Sequence, residues 1–189
     1  MSNQTIVNSA TDIMLALLYA PGATGIEGEP VRGYTRLEKL MFLVDKETKL
    51  GQIMDKEYQF EPKDFGPCAE EIYDDIEMLK DARILQTVDE FADSELEDVD
   101  STEALSEVEE EPTPPSKNAT VFRLTSKGMI IGKKIYDAID PTERKKLVQI
   151  KTIYNSKPIS DMLRYVYTMY SDYTSKSKIK DKVLERARF

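Results

Sequence analysis

Between Asp89 and Ser116 the chain reads DEFADSELEDVDSTEALSEVEEEPTPPS, with twelve acidic side chains, no basic one and a Pro-Thr-Pro-Pro close. Like charges repel along such a run, and its scattered apolar residues bury too little surface to offset the entropy of ordering it. It reads as a flexible loop, so whatever folds must be closed by the residues on either side. These are ARILQTV (82–88) and ATVFRLT (119–125), two short β-branched runs. Paired as a hairpin they bring Asp89 and Ser116 together and leave the acidic segment as an enlarged hairpin tip.

Three helices are expected before the hairpin. Ser9 to Tyr19 offers Ile13, Met14, Leu17 and Leu18 for burial and stops at the breaker run APGATGIEGEP. Thr35-Arg36-Leu37-Glu38 fits a capping box, followed by Leu37, Leu40, Met41 and Val44 at the spacing of one buried face. A third helix is predicted from about Pro67 to Lys80, with Pro67 in its first turn and Ala69, Ile72, Tyr73, Ile76 and Leu79 on one face.

Four helical stretches follow the hairpin. SKGMIIGKKIYDAI comes first, then DPTERKKLVQIKTIY with Asp140 as cap, Pro141 at the first helical position and Glu143 at the third. PISDMLRYVYTMY carries an apolar stripe of Ile159, Met162, Leu163, Val166 and Met169, and SKSKIKDKVLERARF forms a basic tail. The expected class is mainly α (α+β): a winged-helix-like helical domain with a small β-hairpin, plus a C-terminal helical extension. Its parts are residues 1–88, the acidic loop 89–116, and residues 117–189 with the second hairpin strand and a basic helical part.

The net charge of −9 conceals a division along the chain. Residues 1–88 hold nine basic and sixteen acidic side chains, whereas residues 117–189 hold seventeen basic and seven acidic. Electrostatic arguments must therefore be made segment by segment. No run of eighteen apolar residues occurs, and the opening MSNQTIVNSATDIML lacks a basic flank and a small-residue cleavage site. A cytoplasmic protein without a membrane partner is the expectation.

Histidine is absent and Cys68 is the only cysteine. That removes intramolecular disulfides, Cys/His zinc sites and every acid–base scheme built on imidazole. Cys68 lacks a histidine base and reads as a structural thiol. Asp64-Phe65-Gly66 spells the magnesium-binding tripeptide of protein kinases, but no glycine-rich phosphate loop precedes it and a histidine-containing catalytic loop is impossible. Gly22, Gly25 and Gly28 do not fit a nucleotide-binding spacing. Neither catalytic residues nor a cofactor or metal site are expected.

Two surfaces carry binding chemistry. The third helix holds six acids against Lys80 alone between Pro67 and Asp81, so phosphate repulsion opposes its use as a groove-reading helix. Its acids suit a basic protein surface instead, with Phe65, Glu70, Glu71, Asp74 and Asp75 as the contact residues. The alternative is a nucleic-acid-associated regulator binding DNA or RNA backbone through Arg164, Lys176, Lys178, Lys180 and Lys182. These are interleaved with Tyr165, Tyr167, Tyr170 and Tyr173, the pattern of a stacking platform with phosphate contacts. Against it stands the plain reading that the tyrosines pack and the lysines solubilise.

GYTRLEKLMFLVDKE, followed by YQFEPKDFGPCAEEIYDDIEML, resembles the Panacea (SocA-like antitoxin) domain and the related YwgA-type proteins of bacteria and archaea. Leu37, Lys39, Leu40, Tyr58, Phe60, Phe65, Gly66 and Pro67 match that pattern. The tail LRYVYTMYSDYTSKSKIKDKVL is similar to the extension of archaeal members, so the likeness covers most of the chain outside the acidic insertion. The chain departs from the family in having Phe65 before Gly-Pro, where Tyr or Trp is common, and Cys68 after it, where Tyr or Ser follows. The resemblance implies a winged-helix-like module that binds a protein partner, a toxin or another regulated protein. It implies no catalytic residue and leaves homo-oligomerisation open.

Overall fold

The computed structural model describes residues 7–91 and 118–185. Helix α1 (Ala10–Tyr19) starts at Ser9, whose hydroxyl accepts the Asp12 N–H at 3.0 Å. Strand β1 (Val31–Arg32) leads through Gly33 into α2 (Tyr34–Glu47), and a single turn, α3 (Gly51–Met54), follows. Strands β2 (Glu61–Lys63) and β3 (Gly66–Cys68) form a tight hairpin before α4 (Glu71–Asp81). Strands β4 (Leu85–Phe91) and β5 (Asn118–Leu124) then pair antiparallel over their whole length, from Leu85 opposite Leu124 to Phe91 opposite Asn118.

The sheet order is β1-β5-β4, with Val31 opposite Phe122. The mainly helical class with a small antiparallel sheet and the β4–β5 hairpin is as expected, whereas β1 beside β5, the turn α3 and the β2–β3 hairpin are additions to the expected order. Four further helices are α5 (Ser126–Ala138), α6 (Pro141–Asn155), α7 (Ile159–Met169) and α8 (Lys180–Glu185), with a 3-10 turn at Ser171–Thr174 before the last. Among the described residues none of these helices is long and apolar enough to cross a membrane. Asp89, Glu90 and Phe91, expected in the acidic loop 89–116, instead continue β4 opposite Thr120, Ala119 and Asn118, and the rest of that segment lies outside the described residues.

One apolar core joins the two sides of the acidic segment, with Ile13, Leu40 and Ile76 packed in the same cluster as Leu147, Leu163 and Val166. Buried cations tie these parts together. The Lys151 ammonium of α6, fully buried, donates to the carbonyls of Leu17, Leu18 and Ala20 at 3.0, 3.0 and 2.7 Å. It caps the α1 C-terminus, where the helix leaves carbonyls without partners and where positive charge is favoured. Burial pulls this ammonium down to about 7, against the attraction of Glu29. Arg36 of α2 likewise donates to the carbonyls of Tyr154 and Lys157, at 2.6 and 2.8 Å.

Local signals and structure agree where the signal is local. Asp140 caps α6, its Oδ1 accepting from the N–H groups of Thr142 and Glu143, with Pro141 in the first turn. Four expectations are corrected. The Thr35–Glu38 capping box does not form, because α2 begins two residues earlier, capped at Gly33, which holds φ 84° while its N–H bonds Thr120 O. Pro67 lies in β3 rather than in a helical turn; Gly66, at φ 92°, turns the chain into that hairpin and Lys39 fixes the Pro67 carbonyl at 2.7 Å. Tyr73 and Met169 are 39% and 59% exposed, not buried. The tail SKSKIKDKVLERARF is helical only at Lys180–Glu185, with turns before it, and residues 186–189 lie outside the described residues.

Candidate functional site

Helix α4 is held by one side and presents the other. Ile72, Ile76 and Leu79 are buried, together with Ala69 just before it. Its C-terminus is locked by Arg83 in the left-handed region, φ 56°, with the Ile84 N–H returning to Leu79 O at 2.9 Å. Glu70, at its N-cap, joins Tyr73, Asp74, Glu77, Met78 and Asp81 on the exposed side. Lys80 is turned onto its neighbour Glu77, at 2.8 and 3.0 Å.

The aromatic member of this face is fixed from beneath. Tyr73 stacks on Tyr34, ring centroids 5.6 Å apart and planes within 18°, while Tyr34 meets Phe122 of β5 edge-on at 4.9 Å. The Tyr73 hydroxyl donates to Glu38 Oε1 at 3.3 Å. Glu38 is itself buried and paired with the fully buried Lys39, which also holds the Pro67 carbonyl. Burial, then the Glu38 charge, raises the Tyr73 phenol, and the same two causes push the half-buried Cys68 thiol up to about 12. A thiol held protonated at neutral pH is a poor nucleophile.

The residues singled out in the sequence divide between face and framework. Glu70 and Asp74 are exposed, Glu70 in a surface pair with Lys63 at 3.1 Å. Phe65 is half-buried against the core. Glu71 is half-buried, its Oε2 shielded and without a donor among the described residues. Asp75 accepts from Thr11 Oγ1 at 2.7 Å and Tyr58 OH at 2.6 Å, so its carboxylate joins α4 to α1 and to the chain before β2. The outward face is completed by Tyr73, which the periodicity assigns to the buried side, and by Glu77, Met78 and Asp81, which are not among the contact residues expected from the sequence. Met78 carried a signal, being an apolar residue off the buried stripe and 51% exposed.

The Asp64-Phe65-Gly66 turn is tied to the far end of the chain. Asp64 pairs with Lys178 at 2.7 Å, and its carbonyl accepts from the Lys178 N–H and the Ser177 hydroxyl. Among the described residues no three Asp, Glu, Cys or His side chains gather as a metal site.

In the C-terminal part the tyrosines pack inward. Tyr167 is 1% exposed, Tyr165 and Tyr170 donate to Glu47, and Tyr173 lies 5.1 Å from the Phe42 ring. Arg164 pairs with Asp161 and Lys178 with Asp64; Lys176 is exposed and Lys180 half-buried, while the Lys182 side chain lies outside the described residues. The rings of Tyr167, Tyr170 and Tyr173 are thus engaged by the core. Comparison with protein families, curated proteins and solved structures finds no match.

Proposed function

We propose that the chain is a non-enzymatic, cytoplasmic protein-interaction module, antitoxin-like or regulatory, that docks a basic protein surface on the outward face of α4. The observation that carries this reading is the makeup of that face: Glu70, Asp74, Glu77 and Asp81 surround a pinned Tyr73 and an exposed Met78. A preorganised aromatic and a methionine are the residue types that anchor interfaces, and a rim of one charge sign steers a partner of the other.

The positions matching the Panacea-type pattern support the same reading. Lys39 fixes Pro67, Phe60 meets both Phe42 and Tyr58 edge-on, and Gly66 lies where a Cβ would stand 2.8 Å from the Tyr167 ring. These residues set how α4 starts and which way it faces, and none of them carries a reaction. The test is affinity capture from host extract treated with nuclease. A stoichiometric protein partner lost on reversing the α4 charges supports the proposal, and material removed by nuclease refutes it in favour of nucleic acid.

A further inference from the structure

A cleft of about 310 Å³ opens on the side of the molecule formed by α2, α6 and α7. Ile150 and Ile153 supply its apolar lining, Tyr154 and Tyr165 an aromatic corner, and Glu47 a carboxylate. The two rings are 5.4 Å apart and tilted by 35°. Glu47 is held by two tyrosines: the hydroxyls of Tyr165, which lines the cleft, and of Tyr170 both donate to its Oε1, at 3.0 and 3.1 Å. Every hydrogen bond it receives among the described residues falls on that oxygen, which leaves Oε2 for another donor.

The other charged group of the lining is already engaged. Lys146 bonds Glu143 Oε1 at 3.1 Å, and Glu143 is buried and anchored through Oε2 by the Lys49 N–H. The charge that the cleft offers to a ligand is therefore negative, beside aromatic faces and aliphatic wall. Aromatic faces attract cations through their quadrupole, most strongly when the cation is partly desolvated, and a carboxylate at the same place adds an ion pair.

We infer that this cleft is a binding site for an alkylammonium group, with Glu47 Oε2 taking the charge and Tyr154, Tyr165 and Ile153 the alkyl substituents. The group is either a small free amine or the end of a lysine side chain. This site is separate from the α4 face, and its test does not depend on that face.

The experiment is an NMR titration of the full chain with butylammonium, tetramethylammonium, the uncharged branched alcohol 2,2-dimethylpropanol and Nα-acetyl-lysine amide. Saturable shifts confined to α6, α7 and the end of α2 are expected with the cations, and at least about tenfold weaker binding of the alcohol. Tighter binding of the lysine derivative than of butylammonium assigns the site to a side chain, and the reverse to a free amine. Glu47→Gln should weaken the cations about tenfold or more, whereas Tyr165→Phe, which keeps the ring, should retain most of the affinity. Equal response to alcohol and cation, unaltered cation binding by a folded Glu47→Gln chain, or no saturable shift with any cation overturns the inference. The comparison of alcohol and cation uses the unaltered chain, so a poorly folded variant does not blunt it.

Discussion

The ring of Tyr73 lies on the ring of Tyr34 at 5.6 Å, and Tyr34 in turn stands edge-on to Phe122. An exposed tyrosine of α4 is thereby connected to the middle strand of the sheet. Its hydroxyl reaches Glu38, and Glu38 is fixed by Lys39. The acidic face is thus built around a side chain whose conformational freedom is already reduced, which lowers the cost of ordering it on binding.

Neighbouring acids of α4 should differ sharply in what they do for stability. Asp75→Ala removes the acceptor of two charge-assisted hydrogen bonds, from Thr11 and Tyr58, and should cost about 2–4 kcal/mol in urea denaturation. Asp74→Ala, on the exposed side, should stay within about 0.5 kcal/mol. Equal effects of the two would contradict the assignment of Asp75 to the framework.

Gly66→Ala combines a left-handed backbone, φ 92°, with a Cβ placed 2.8 Å from Tyr167 Cε1. A loss of about 1–3 kcal/mol is expected from the backbone strain, and more where the Tyr167 ring fails to move aside. Circular-dichroism melting should show it as a lower transition temperature. A melting temperature equal to that of the unaltered chain would show that the β2–β3 turn does not need glycine.

Cys68 should react slowly while the protein is folded. With its thiol pushed up to about 12 by burial and by Glu38, modification at pH 8 should run more than about a hundredfold slower than in urea. Cys68→Ser should leave partner capture unchanged. A folded-state rate near the unfolded one would restore the nucleophile reading.

Alkaline pH should unfold the protein through its tyrosines. Burial raises the Tyr154 and Tyr167 phenols to about 12, and burial with the Asp75 charge raises Tyr58 further. In the unfolded chain these groups titrate near pH 10, so above that the unfolded state binds fewer protons than the folded one. Stability present below about pH 10 is then lost as pH rises through about 12. The tyrosinate absorbance of these buried rings should rise together with the loss of helical signal. Independent titration of all ten tyrosines near pH 10, with helix intact, would contradict this.

What was legible in the sequence follows the range of the interactions. The Asp140-Pro141-Glu143 start of α6, the burial of α1 and the pairing of ARILQTV with ATVFRLT are set by residues near one another or by plain periodicity. Pro67 looked helical because nothing adjacent reveals Lys39, 28 residues away, as the donor to its carbonyl. Tyr73 looked buried because its partners, Tyr34 and Glu38, belong to another helix. Asp75 looked like one more surface acid for the same reason, its donors Thr11 and Tyr58 lying 64 and 17 residues away. The pattern located α4 and its acidity, and tertiary contacts decided which of its side chains face outward.

The most direct measurement of the central claim is capture from nuclease-treated host extract by the unaltered chain and by an Asp74→Lys, Asp81→Lys chain of the same melting temperature. Both positions are exposed on α4, so the fold should survive the change. A stoichiometric protein partner should appear on the unaltered chain, salt-sensitive in its association, and be lost from the altered one. An equal yield of that partner on both chains, or a captured species that disappears with nuclease, would contradict it.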